Sequence, residues 1–310
     1  METEIRCLSH WGEGYTSHLI QAVGLATCFT ALPSHLLVCI TVLKDVHKTL
    51  KFPFMLLVLN ANIAGLVIAV ITAPLSFALT FMADKPLSTT AVAMAELRNV
   101  SFYISSTVCL ITCICLCVDR YLAVSAPVWY KASSSSGRLV LASGFIWIIG
   151  AGLPVTCLTI GFQKYGFINA NITLIGVLSF VIFTLITFHW DWDETEVCNV
   201  PESDRRDPSH TVLHRLFCYL IGLYFLCFVP ASVMMYIAFL TESISCGAKQ
   251  YLEEIHFMLI LTYSSALPYV CIAFVPQLRR EMLSVVKCVY DPRVRPQQSS
   301  NGEEWNMTLK

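Results

Sequence analysis

The sequence predicts an all-α membrane protein, a seven-transmembrane helix bundle with a short amphipathic eighth helix. Three observations carry that expectation. The 310 residues are 56% apolar and 13% charged, too greasy for a soluble globular domain. Seven apolar runs follow one another, most of them near or above the roughly 20 residues that a helix needs to cross a bilayer core. Lysine and arginine collect in alternate connections between those runs.

Taken in order, residues 1–18 form a polar extracellular segment without the basic start and small-residue cleavage site of a signal peptide, so the first helix serves as the insertion signal. Residues 19–276 hold the seven spans, at about Leu19–Leu43, Phe54–Met82, Val100–Val124, Leu139–Phe162, Ile172–Phe188, Val212–Leu240 and Ile255–Val275. The fifth is the shortest. Residues 277–288 form the amphipathic helix, with Leu278, Met282, Leu283 and Val286 on one face and Arg279, Arg280 and Lys287 at its flank. Residues 289–310 are a polar, disordered cytoplasmic tail.

Orientation follows from the basic residues. With the N-terminus outside, Lys44, Lys48, Lys51, Lys131, Arg138, Arg205, Arg206, Arg215, Arg279, Arg280 and Lys287 fall on the cytoplasmic side, against Arg6, Lys85, Arg98, Lys164 and Lys249 outside. The acidic stretch from Trp190 to Pro208, with Cys198, would also suit an extracellular loop. That arrangement leaves six spans and puts Arg279, Arg280 and Lys287 outside, so the cytoplasmic assignment is preferred.

Composition excludes other classes. Most of the fourteen cysteines, Cys109, Cys113, Cys115 and Cys117 among them, sit inside apolar runs and act as small hydrophobes. A net charge of −1 without a basic patch gives no reason to expect nucleic acid, and no Cys/His spacing fits a metal. No cofactor and no enzymatic activity are expected.

One stretch places charge where lipid meets water. The run from Val100 to Val118 ends in Asp119-Arg120-Tyr121, followed by Pro127 and Tyr130. This resembles the third-helix signature of rhodopsin-like (class A) G protein-coupled receptors. Leu59-Asn60-Ala61-Asn62-Ile63-Ala64-Gly65-Leu66 with Pro74, Trp147 with Pro154, Tyr224-x-x-Cys227-Phe228-Val229-Pro230 and Leu267-Pro268-Tyr269-Val270-Cys271 are similar to the family's motifs in the second, fourth, sixth and seventh helices. Residues 20 to 288 carry the resemblance.

The resemblance implies an orphan-type receptor that passes an extracellular ligand's signal, or basal activity, to a heterotrimeric G protein. Asp119, Arg120, Tyr121, Phe228, Pro230 and Pro268 are its expected switch residues. Physically, Asp119 can hold Arg120 at the membrane edge until a partner offers better contacts, and a proline within a span frees a carbonyl and forms a hinge. The competing readings are that Arg120 snorkels to lipid phosphate and that the prolines shape packing, the reading preferred for Pro74 and Pro154.

Departures from the family pattern matter as much. His35 replaces an asparagine, Gly65 the sodium-binding aspartate, Leu267 an asparagine and Cys271 a tyrosine. Ala95 stands near the position of the family's disulfide cysteine. Sodium regulation is therefore expected to be absent. Basal activity is slightly preferred over a silent receptor, because no acidic group near His210 restrains Arg120.

By the resemblance, Phe102 stands where amine receptors carry an aspartate and Leu261 where opsins carry the retinal lysine, so neither a biogenic amine nor retinal is expected. The ligand region is expected at Phe102, Tyr103, Ser106, Phe228, Ser232, Met235, Glu254 and Phe257, and for each of these packing competes with ligand contact. A Cys7 to Cys246 disulfide outside the membrane, a glycan on Asn171 and palmitoylation of Cys288, weighed evenly against a free thiol, complete the expectations. Chemosensory or odorant receptors and a non-signalling accessory membrane protein stand as alternatives. A transporter would want charges along a path through the spans, which this sequence lacks.

Overall fold

Apolar stretches in lipid can satisfy their backbone as helices, and every element of the structure is helical, with no strand among the described residues. The computed structural model describes residues 15–45, 53–82, 88–126, 130, 136–156, 167–178, 181–182, 208–241, 245–276 and 278–283. In chain order these form α1 (Tyr15–Asp45), α2 (Pro53–Val67), a π-helical turn (Ile68–Thr72), α3 (Ala73–Met82) and α4 (Thr89–Ser125). They continue as α5 (Ser136–Val155), α6 (Phe167–Leu178), α7 (Pro208–Leu240), α8 (Cys246–Phe274) and a short α9 at 278–283.

Four helical stretches are long and apolar enough to cross a membrane: Phe54–Leu79, Thr89–Ala123, Leu216–Leu240 and Gly247–Phe274. Phe29–Lys44, Val140–Val155 and Phe167–Leu178 are shorter apolar helices. The surface agrees. On α5, Val140, Leu141, Phe145, Ile148 and Ile149 all face outward, as do Leu226 and Leu240 on α7, a coat suited to lipid chains rather than water. These features make the chain a membrane protein.

Several helices start earlier than the sequence expectation, two of them by more than two turns. α4 starts at Thr89 rather than near Val100, because the Ser88 hydroxyl accepts the Ala91 N–H at 3.1 Å and caps the helix, so Glu96, Arg98 and Asn99 lie within it. Cys246 is not in a connecting loop but opens α8, whose cap is Ser245, accepting from the Ala248 N–H at 3.4 Å. The charges and small polar residues that interrupt these runs disguise helix caps and outer turns as loops.

The π-turn has a local cause. Pro74 lacks an N–H, and in a regular helix its ring would press on the Val70 carbonyl; the helix widens just before it, and Ala73 donates to Ile68, five residues back. Around this element α2 packs on α1, α4 and α5, and α8 packs on α1, α2 and, most extensively, α7. One core runs through the bundle, from Phe54 and Leu116 at one end past Leu110, Tyr224 and Tyr263 to Phe102 at the other.

Candidate functional site

Three polar or aromatic constellations lie along the bundle. The first is at the end of α4. Arg120 donates from Nε to Asp119 Oδ2 at 2.9 Å, and a second guanidinium nitrogen reaches the same oxygen. Tyr130, just beyond the span, donates its hydroxyl to Asp119 Oδ1 at 2.7 Å and accepts from Arg120 at 3.3 Å. The Arg120 guanidinium carbon stands 4.8 Å from the Phe54 ring centroid on α2. Both charges are almost fully buried. Burial, then the neighbouring Asp119 carboxylate, push the Tyr130 hydroxyl well above its ordinary range, so it remains a donor at physiological pH. Tyr121 is half-buried beside this cluster, and Pro127 lies outside the described residues.

The second constellation is central. Pro268 cannot donate to the carbonyl four residues before it, which is that of Ser264. His35 on α1 takes up that freed carbonyl: its Nε2 is 2.9 Å from Ser264 O, while Nδ1 is 3.1 Å from Asn62 Oδ1 on α2. Asn62 in turn donates to Val58 O at 2.8 Å and lies 3.9 Å from Cys271 Sγ. The ring fits because residue 65 has no side chain. A Cβ on Gly65 would come 2.3 Å from His35 Cε1 and 2.5 Å from Nε2, distances no packed atoms adopt. His35 and Asn62 are fully buried.

The third constellation is at the opposite end, where the ligand region was expected. Phe102 on α4 meets Tyr103 edge-on at 5.4 Å, His256 edge-on at 5.7 Å and Phe257 at 5.0 Å between ring centroids. Arg98 lies 5.9 Å over the Phe257 ring and within electrostatic reach of Glu253 and Glu254. Ser232 and Met235 are buried on α7. Ser106 uses its hydroxyl within α4, on the Tyr103 carbonyl at 3.1 Å. Phe228 belongs to a deeper layer, stacked on Tyr224 at 4.2 Å and edge-on to Tyr263 at 5.1 Å, next to Pro230 on α7. The structure thus brings Phe102, Tyr103 and Phe257 into contact and separates the Ser106 hydroxyl and Phe228 from them.

Other expected sites fare differently. Asn171 is inside α6, its Nδ2 donating to Phe167 O at 2.7 Å and its Oδ1 accepting from Tyr236, so a glycan on that nitrogen would displace a contact within the bundle. Cys7, Cys198, Lys287, Cys288 and the Cys246 side chain lie outside the described residues. In α9, Leu278 and Met282 are buried and Arg279 and Arg280 exposed, whereas Leu283 also points outward. No group of metal-ligating side chains occurs among the described residues.

Two site residues escaped the sequence reading. His35 was legible only as a substituted position, although a glycine, a histidine and a proline on three different helices are a signal for a ring filling a hole beside a freed carbonyl. His256 carried no such signal; it emerges from its contact with Ala231 O at 3.0 Å and with Phe102. Comparison with family models and with curated proteins gives no match.

Proposed function

We propose that this chain is a seven-transmembrane receptor of the rhodopsin-like type that signals to a heterotrimeric G protein from the plasma membrane. The observation that carries the reading is the Asp119–Arg120–Tyr130 cluster. A buried guanidinium held by one carboxylate and one phenol, at the end of a long apolar helix, is a charge that a cytoplasmic partner can draw out. In this reading α1, the joined α2 and α3, and α4 to α8 are the seven spans, the N-terminus is outside, and α9 lies at the inner membrane surface against lipid.

The aromatic wall of Phe102, Tyr103 and Phe257, with Glu254 beside it, supports an extracellular ligand region, and Pro230 and Pro268 serve as hinges that transmit its occupancy. The test is ligand-free activation of a panel of G proteins, normalised to surface receptor. Wild type should exceed Arg120→Ala for at least one G protein class. Equality for every class would favour a non-signalling membrane protein instead, a reading that Cys271 and the His35 plug also suit.

A further inference from the structure

We propose that His35 is a proton-binding site, in which a doubly protonated imidazole clasps α1 to α2 and α8. Both ring nitrogens face oxygens that accept: Ser264 O at 2.9 Å from Nε2 and Asn62 Oδ1 at 3.1 Å from Nδ1. Ser264 O is a backbone carbonyl, deprived of its helical donor by Pro268, so it can only accept.

The orientation of the Asn62 amide is fixed by its other partner. Its nitrogen lies 2.8 Å from Val58 O, again a carbonyl; turning the amide over would set oxygen against oxygen there, while the Cys271 thiol could serve either amide atom. A neutral imidazole carries one N–H and can serve one of the two oxygens, leaving a lone pair against the other. Only the imidazolium donates to both.

The opposing cost is a buried charge. Among the described residues, α2, the π-turn and α3 carry no titratable side chain. On α1 the nearest is the Cys39 thiol, one turn inward; on α8 they are the Tyr263 phenol, the Tyr269 phenol, which donates to Thr30 O on α1 at 3.1 Å, and the Cys271 thiol. His256, Glu254 and Glu253 are at least eight residues outward of Ser264, roughly 12 Å along the axis. On α4, Asp119 and Arg120 pair with each other, and Glu96 and Arg98 are near its outer end. Among the described residues no carboxylate faces the ring, and the cation is held there by carbonyl oxygens.

Each protonation state therefore carries a defect, an uncompensated charge in one and an unserved acceptor in the other, and the ring is built to exchange a proton between them. The sign follows. In the proposed clasp the two acceptors hold the proton against the cost of burying it, so gaining it favours closure as pH falls and losing it releases α8 from α1 as pH rises. Because Ser264 O is the carbonyl freed at the Pro268 hinge, the proton acts on that hinge directly. The inference rests on this geometry and not on the chain's signalling role.

The test uses the full chain in phospholipid nanodiscs with 15N-labelled histidine, followed by nitrogen NMR from pH 8 to pH 4.5; the His35 signals are those missing from His35→Gln. Both ring nitrogens should reach the imidazolium position within that range. Hydrogen exchange of residues 262–275, corrected for its intrinsic pH dependence, should slow as the ring gains its proton, by up to about tenfold per pH unit, the limit for one linked proton. His35→Gln should abolish that dependence. Should His35→Gln fail to fold, Gly65→Ala, which evicts the ring while leaving every titratable group in place, serves as the second variant. A ring with one bare nitrogen throughout the range, or an exchange profile unchanged in both variants, overturns the proposal.

Discussion

The indole N–H of Trp147 donates to the side-chain carbonyl of Asn60 across 2.6 Å, tying α5 to α2. The same oxygen accepts the Ser143 hydroxyl at 2.9 Å, and the Asn60 amide nitrogen donates to Thr112 on α4 at 2.9 Å. One asparagine thus joins three helices. Asn60→Ala leaves an indole and two hydroxyls without their partner, and we expect a loss of about 2–3 kcal/mol, against about 1 kcal/mol for Trp147→Phe at the hydrogen bond itself. Apparent melting temperatures of the purified protein, compared across both variants, check the order.

The close approach of His35 to residue 65 makes a double-mutant cycle informative. Gly65→Ala should destabilise by roughly 1–3 kcal/mol through overpacking, and the same substitution in a His35→Ala background should cost at least about 1 kcal/mol less. Additive effects would show that the two positions are independent. The geometry also sets a condition on restoring an acid here. Gly65→Asp has no room while the imidazole is in place, so it must be combined with His35→Asn as well as Leu267→Asn.

Tyr130→Phe removes the only donor drawn to Asp119 Oδ1 among the described contacts and leaves Arg120 with its carboxylate. Under the receptor reading, basal G protein activation per surface receptor should rise severalfold; a loss of about 1.4 kcal/mol of restraint corresponds to a tenfold change in the active to inactive ratio. Since the Tyr130 phenol is held above its ordinary range, its hydrogen bond should persist unchanged from pH 6 to pH 9, so the ratio of variant to wild type should be constant over that interval. A ratio that collapses toward one at pH 9 would indicate an ionised phenol.

Sodium offers a further check of the receptor reading. Gly65 and Leu267 supply neither carboxylate nor amide, and the space above Gly65 is filled by a ring. Replacing sodium by a bulky organic cation at constant ionic strength should leave basal activation within about 20% of its value, a margin well inside the tenfold per 1.4 kcal/mol that a lost restraint would give.

The sequence exposed the helices well because lipid permits so few alternatives: long apolar runs announce α2 to α4, α7 and α8 directly. It missed the outer three turns of α4, where Glu96, Arg98 and Asn99 resemble a loop by composition yet continue a capped helix, with Arg98 and Asn99 bonded to one another at 2.7 Å. For the site, Asp119 and Arg120 were evident as isolated charges. Their restraint by Tyr130 was present only as a spacing. The His35 clasp stayed hidden because it joins positions 35, 62 and 264, whose proximity depends on helix packing and on a missing Cβ rather than on any local pattern.

The π-turn at Ile68–Thr72 holds one residue more than an α-helical turn would, and that surplus has an evolutionary reading. Deleting a single codon within it would restore a regular helix while leaving the Asn60, Asn62 and Gly65 side in its present phase. Because the wider turn absorbs the surplus residue, the side chains from Ala73 outward would keep their phase as well, and the change would fall on the turn itself, where the Thr72 hydroxyl meets that of Ser101 at 2.9 Å. The turn is therefore the place where this helix can gain or lose one residue while its inner and outer halves both keep the faces they present to their neighbours.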